Sequence, residues 1–310
     1  MSSGIKIFAP ASVSNVACGF DLLGFALDEP GDEVVARLSD QPGVRITTIT
    51  GARNKLPFDI NKNTAGIAAS RLLEFLDLQH IGVELELHKK MPIGSGLGSS
   101  AASAVAAVMA VNELLKHPLE KRALLPFAAE GEIVSSGTIH LDNVAPSLIG
   151  GMVLVQKGEK MAAHRLPTPK GIYVAVVHPE VEVLTKDARQ ILHPFIPLDK
   201  HVEQSGHLAS FIIGLYQSDF DLIQRSLQDV LIEPQRAPLI PHFYQIKEAS
   251  LKQGALGCSI SGSGPSIFAL CANSHIAGLC AEAMSRIYRD EKVQHQIYLS
   301  PINLEGAIKC

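Results

Sequence analysis

The stretch Pro92-Ile93-Gly94-Ser95-Gly96-Leu97-Gly98-Ser99-Ser100-Ala101 carries the plainest chemical signal in the chain. Its three glycines fall within five positions. Without Cβ atoms they let the backbone approach a ligand and adopt positive φ. Two hydroxyl residues follow and open a helix in which Ala101, Ala102, Ser103, Ala104, Ala106 and Ala107 allow close packing. The first amides of a helix lack intrahelical partners and carry the positive end of its dipole. A glycine loop running into such an end suits an anion, phosphate above all. Taken alone, the triplet also fits an ordinary glycine turn before a buried helix. It is not a Walker loop, since no G-K-[ST] follows. Nor does Gly94-x-Gly96-x-Gly98 have the third spacing of a dinucleotide fingerprint, or an acidic residue at a matching distance.

The elements that must hold this loop are short. Residues 5–8, 33–38 and 44–50 read as strands, and 83–88 alternates apolar and polar residues like a half-buried one. Residues 64–76 have helical spacing, with Ile67, Leu72, Leu73 and Leu76 on or near one face. The Ala-rich helix is expected over 100–116, stopped by His117-Pro118. Further strands are expected at 151–156, 172–177, 258–261 and 267–271, and helices at 201–216, 243–253 and 277–288. Segment 158–171, with two prolines and four basic residues, is the best domain boundary. Strands and helices mix without regular βαβ alternation, which is an α+β pattern.

Composition limits the partners. The chain has 310 residues, 46% hydrophobic and 19% charged, enough for one large domain or two of moderate size. A net charge of -4 favours neither nucleic acid nor an anionic membrane. The start MSSGIKIFAPASVSN lacks the basic and apolar segments of a secretory leader, and the apolar run 101–111 is too short to span a bilayer. A soluble, cytoplasmic protein is expected. The five cysteines are odd in number and widely spaced, and the twelve histidines include no H-E-x-x-H, so neither a disulfide framework nor a zinc site is expected.

Three motifs in order carry a resemblance. Pro92 to Ala101 resembles the central motif of the GHMP kinases, the family that includes galactokinase and mevalonate kinase. Ala9-Pro10-Ala11-Ser12 opens the chain as that family's first motif does. Gly257-Cys258-Ser259-Ile260-Ser261-Gly262-Ser263-Gly264-Pro265-Ser266 resembles its third, a glycine turn that closes near the phosphates. Ser14 to Gly24, His140 to Ser147 and Glu233-Pro234-Gln235-Arg236 resemble most the members that phosphorylate the hydroxyl of L-homoserine. The resemblance implies a two-domain α+β architecture. Its N-terminal nucleotide-binding domain, residues 1–160, would be of the ribosomal protein S5 domain 2 type, and its C-terminal domain, residues 161–310, ferredoxin-like.

It also implies a site. ATP would lie along Pro92, Ile93, Gly94, Ser95, Gly96, Leu97, Gly98, Ser99, Ser100 and Ala101. Asn63 matches a position beside the nucleotide, though an N-terminal helix cap explains it equally well. Ser100 and Glu132 match ligands of Mg2+, with Glu130 the rival carboxylate. Arg189 and Arg236 match contacts to the substrate carboxylate, which suits the planar fork of arginine, and Thr185 adds a hydroxyl. Asp21 fits the substrate ammonium; Asn15, His140 and Asn143 complete the pocket. A homodimer is the assembly such proteins often form.

One departure bears on mechanism. Asn143 stands near the aspartate that serves as base in mevalonate kinase and galactokinase, and Ser12 where mevalonate kinase has a lysine. An amide accepts no proton at neutral pH. The reaction is therefore expected to run without a strong protein base, Asn143 orienting the hydroxyl while loop amides and metal stabilise the transferring group. Asp142 is set aside as base, because neighbouring side chains rarely point into one pocket. Two rivals remain. A kinase of the same family for mevalonate or a sugar-like alcohol conflicts with the Asn143, Arg189 and Arg236 set. A non-catalytic nucleotide binder would show a broken loop or lost metal ligands.

Overall fold

In the computed structural model the described residues are 4–116, 119–156, 158 and 161–310. In chain order the elements are β1 (Ile5–Ser14), β2 (Leu23–Ser39), β3 (Gly43–Thr50), α1 (Thr64–Phe75), β4 (Gly82–His88), α2 (Ser99–Leu114), α3 (Leu125–Ser136), α4 (Leu141–Ile149), β5 (Met152–Gln156) and β6 (Ala162–Leu166). There follow β7 (Tyr173–Pro179), α5 (Thr185–Gln190), α6 (Leu198–Gln217), α7 (Phe220–Ser226), α8 (Glu233–Arg236), α9 (Phe243–Lys252), β8 (Gly257–Ile260), β9 (Ile267–Cys271), α10 (Ser274–Asp290), β10 (His295–Pro301) and β11 (Ile308–Lys309).

Two sheets result. The first has seven strands in the order β11-β1-β2-β4-β3, with β5 pairing β2 and β6 pairing β5. Only β3 and β4 run parallel in it. The second is β10-β7-β9-β8, antiparallel throughout. Its chain order, strand-helix-strand-strand-helix-strand, with the fourth strand beside the first, is the ferredoxin-like split βαβ pattern. This is the two-domain α+β architecture expected from sequence.

Strand periodicity explains how the halves join. Along β7, Val174 and Val176 face the large core under the first sheet, while Ala175 and Val177 face a second core beneath α9 and α10. Phe25 of β2 meets Phe268 of β9 edge-on at 5.8 Å between ring centroids, so apolar packing runs unbroken between the sheets.

The central helix lies at the heart of this packing. Every residue of α2 from Ala101 to Asn112 is buried. The small side chains are what admit α1 and α3 so closely: a Cβ on Gly131 of α3 would stand 2.6 Å from Thr64 O and 3.2 Å from Ala104 Cβ. The expected helix stop at His117-Pro118 lies outside the described residues. Segment 158–171, read from its prolines and basic residues as a boundary, carries β6, antiparallel to β5 in the first sheet. No helix among the described residues is long and apolar enough to cross a membrane.

Candidate active site

A cleft of about 530 Å³ opens between the two sheets at the start of α2. Its rim at one end is the glycine loop. Gly94, Gly96 and Gly98 have φ of 71°, 76° and 66°, left-handed values that glycine adopts without strain. Gly96 also has no room for a side chain: a Cβ there would lie 2.7 Å from Gly264 O and closer still to Ser261 O. The loop is laced to the third motif, for Ser261 Oγ donates to Gly96 O at 2.7 Å and Ser266 N to Ser95 O at 3.2 Å. No side chain caps α2, whose cap residue is Gly98, so the helix presents its first amides to the cleft.

Below the loop sits a buried ion pair that sequence reading missed. Lys89 pairs with Asp32 through Nζ and Oδ2, and its ammonium also donates to Ser99 O at 2.7 Å and Ser103 Oγ at 2.6 Å. Asp32 accepts in addition from Ser99 Oγ at 2.8 Å and Lys90 N at 2.9 Å. The network pins the start of α2 to β2. It also turns the Ser99 hydroxyl inward, so Ser99 offers a ligand its backbone and not its side chain. A lysine just ahead of a glycine loop was a usable signal; its aspartate, 57 residues away, was not.

Glu132 and Glu130 part company. Glu130 stands outside the cleft on the helix surface, where Arg71 Nε meets it at 3.1 Å. Glu132 is buried in the cleft wall and hydrogen-bonded to Ser100. Burial pushes its carboxyl up to about 7, against the opposing effects of Ser100 and the Lys89 charge. Two hard oxygens, hydroxyl and carboxylate, thus meet beside the helix start, a donor set that fits Mg2+. Asn63 caps α1, its Oδ1 accepting from Ala65 N at 3.1 Å, and the residue lines the cleft.

Where Gly262 backs onto Gly96 of the loop, the cleft also gathers Asp21, Arg189 and Arg236. Asp21 Oδ2 accepts from Arg189 Nη2 at 2.8 Å. Arg236 is buried, donating from Nε to Ala188 O at 3.0 Å and from Nη1 to Gly262 O at 2.9 Å, with its guanidinium over the Phe20 ring. Its burial weakens its hold on the proton, offset in part by Asp21. Gly262 O also accepts from Asn15 Nδ2 at 2.7 Å, while Asn15 Oδ1 accepts from Asp21 N at 3.0 Å. One carbonyl therefore ties the N-terminal signature to the third motif and to Arg236. Thr185 reaches Ser263 Oγ at 3.3 Å.

Asn143 stands against Gly98 of the loop. Its Oδ1 accepts from Ser12 Oγ at 2.9 Å and its Nδ2 donates to Ser14 Oγ at 3.0 Å. The reason for setting Asp142 aside proves wrong. Asp142 and Asn143 both line the cleft, because they lie in the first turn of α4, after cap residue His140, where the helix end points into it. Asp21, His140 and Asp142 bring their ligating atoms within 4.8 Å of one another.

The cleft therefore unites the loop with Asn15, Asp21, Asn63, Glu132, His140, Asn143, Thr185, Arg189 and Arg236. Three expected residues are not on its wall: Leu97 and Ala101 turn into the core, and Pro92 stands aside. Sequence reading gave Ser14 only as the start of the N-terminal signature, without its contact to Asn143, and missed Gln204, a buried amide bridging Cys18 O at 3.0 Å and Val230 N at 2.9 Å. Both contacts are tertiary and have no local pattern of their own.

A glycine loop on an uncapped helix start, laced to a ferredoxin-like sheet, defines a phosphotransferase of the GHMP type. The models of the GHMP kinase N-terminal and C-terminal domains match residues 63–151 and 211–290. The chain is 46% identical over 311 residues to a homoserine kinase of Chlorobium phaeobacteroides, covering 97% of each chain, and 42% identical to one of Xylella fastidiosa, covering 97% of this chain and 92% of that one. A crystal structure of homoserine kinase from Cytophaga hutchinsonii superposes with a TM-score of 0.97 at 51% identity, over 100% of this chain and 98% of that one. The chain belongs to the homoserine kinase family of the GHMP kinases. A mevalonate kinase of L. major shares the fold at a TM-score of 0.72 and 16% identity, over 96% of each chain.

Proposed function

We propose that the chain transfers the γ-phosphoryl group of ATP to the side-chain hydroxyl of L-homoserine, giving O-phospho-L-homoserine for threonine biosynthesis in the cytoplasm. The observation that carries this reading is the lining of one cleft. A phosphate loop and an Asp21, Arg189 and Arg236 charge set, the complement of a small zwitterion, line it together. A homodimer is the assembly this reading carries, and light scattering measures it. Residues 1–160 take the nucleotide, and 161–310 supply the arginines and the closing glycine turn.

In this reading the amides of the loop and of the α2 start cradle the phosphates, and Asn63 lies beside the nucleotide. Ser100 and Glu132 would hold Mg2+, which would supply positive charge against that developing on the phosphates. Arg236 and Arg189 take the carboxylate; Asp21, with His140 and Asp142 beside it, takes the ammonium. Asn143, fixed by Ser12 and Ser14, orients the hydroxyl for in-line attack. The hydroxyl proton leaves with the transferred phosphoryl group, since the Asn143 amide accepts none and Asp142 is taken up with Asp21 and His140 beside the ammonium.

The test is ADP release with Mg2+ and ATP over a panel of homoserine, mevalonate and galactose. Turnover with homoserine alone supports the reading. Turnover with mevalonate and none with homoserine removes it.

A further inference from the structure

The stretch Glu233-Pro234-Gln235-Arg236 contains a second charged residue to which the proposed reaction gives no role. Glu233 is buried, at 6% exposure. Its Oε2 accepts from Ser259 Oγ on β8 at 2.6 Å, and its Oε1 from Lys247 Nζ on α9 at 2.5 Å. Asp229 fixes the same turn from the other side. Its carboxylate accepts from Leu231 N at 2.9 Å, Ile232 N at 2.8 Å and Glu233 N at 2.9 Å.

Two contacts in register follow. Glu233 meets Ser259, and one helical turn on, Arg236 Nη1 meets Gly262 O at 2.9 Å. Both partners advance by three residues, one along α8 and one along β8 into the glycine turn. The first rung therefore fixes the second: a shift of α8 on β8 moves the guanidinium off Gly262 O and off its place in the cleft. A buried carboxylate is costly unless it is paired and hydrogen-bonded. A turn needing only to pack would be served by an apolar side chain.

Resting on homoserine as substrate, we propose that Glu233 is a positioning residue for the substrate carboxylate, holding α8 on β8 so that the Arg236 guanidinium stands at carboxylate distance. It acts through Arg236 and touches no ligand itself.

The test is steady-state kinetics of the full chain with homoserine and with 2-amino-1,4-butanediol, in which an alcohol replaces the carboxylate. Glu233→Ala is expected to raise KM for homoserine by about tenfold to a hundredfold, the range for one charge-assisted hydrogen bond. Its KM for ATP and its kcat/KM for the diol stay within about twofold of the parent. Glu233→Gln keeps an acceptor oxygen and returns KM for homoserine to within about threefold of the parent. Should Glu233→Ala lose its cooperative melting transition, Ser259→Ala decides, with the same selective loss expected. Equal losses on homoserine and diol, or a parent-like KM for homoserine in these variants, overturn the proposal. A parent chain inactive on homoserine is a separate result, removing the substrate reading and this inference with it.

Discussion

Arg189 and Asp21 face each other in the cleft with 2.8 Å between Nη2 and Oδ2, one residue from α5 and the other from the loop after β1. The pair joins an element of each half beside the buried Arg236. Both side chains retain contact with water, so the bond contributes at most about 1 kcal/mol to stability. Its worth is in the ligand it can exchange for. In the proposed reaction, a zwitterion entering between the two groups would offer a carboxylate to Arg189 and an ammonium to Asp21.

Asp21→Asn tests that exchange. The amide keeps the shape and loses the charge, so KM for homoserine should rise by about tenfold to a hundredfold. KM for ATP should stay within about twofold, and thermal stability within about 1 kcal/mol. Matching losses in both KM values would place Asp21 in the scaffold of the loop.

Arg236→Leu is expected to behave differently. This guanidinium is buried and donates to Ala188 O and Gly262 O. Its loss removes that donor from Ala188 O, while Gly262 O keeps Asn15 Nδ2, a destabilisation of about 1–3 kcal/mol visible in chemical unfolding. KM for homoserine should rise strongly while the ATP dependence stays near normal. Equal damage to both affinities would mean that Arg236 is structural or serves the nucleotide.

How much of this was legible in the sequence follows from the range of each interaction. The glycine loop and α2 were visible because propensity, small residues and periodicity agree over a continuous stretch. Strands 43–50, 82–88 and 267–271 were found within a residue, each showing a compact apolar run. Strand β2 was read only over 33–38, because its first half, LGFALDEPG, bends through a proline and an acidic pair that look like a turn. Helix α4 escaped because Pro146 lies inside it and His140 caps it without a side-chain bond. The Lys89–Asp32 pair and the Glu233–Ser259 contact join distant segments, so no local pattern announces them.

Gly94→Ala and Gly96→Ala separate the loop's two demands. Position 94 needs φ of 71° but has nothing within 4 Å of a new Cβ. The substitution should cost about 1 kcal/mol of stability, from backbone strain alone, while a methyl at the phosphate rim weakens ATP binding. Position 96 has the same strain plus a collision with Ser261 O and Gly264 O. Gly96→Ala should therefore cost more, about 2–4 kcal/mol, and damage the ATP dependence together with the fold. Calorimetry with ATP titration distinguishes the two; equal stability in both variants would mean that the loop does not bear on the third motif.

Glu132 yields the sharpest pH dependence. Its carboxyl moves from 4.5 in the unfolded chain to about 7 in the fold, chiefly through burial. Between those pH values the folded protein keeps a proton that the unfolded chain has released. Stability therefore falls as pH rises through the window, by about 3 kcal/mol once both limits are passed. Glu132→Gln cannot titrate, so in magnesium-free buffer it should match the parent near pH 4.5 and melt higher at pH 8. Mg2+ needs the ionised carboxylate, and its binding should release a proton near pH 7. Magnesium should accordingly stabilise the parent more at pH 8 than at pH 6 and leave the variant nearly unmoved. Turnover of the variant should drop by about a hundredfold or more with KM for homoserine little changed, the signature of lost charge stabilisation in the transition state. Glu130→Gln, which alters only the exposed contact with Arg71, should reproduce none of this. If it did, the metal carboxylate would be Glu130, and the raised affinity of Glu132 for its proton would be a feature of packing alone.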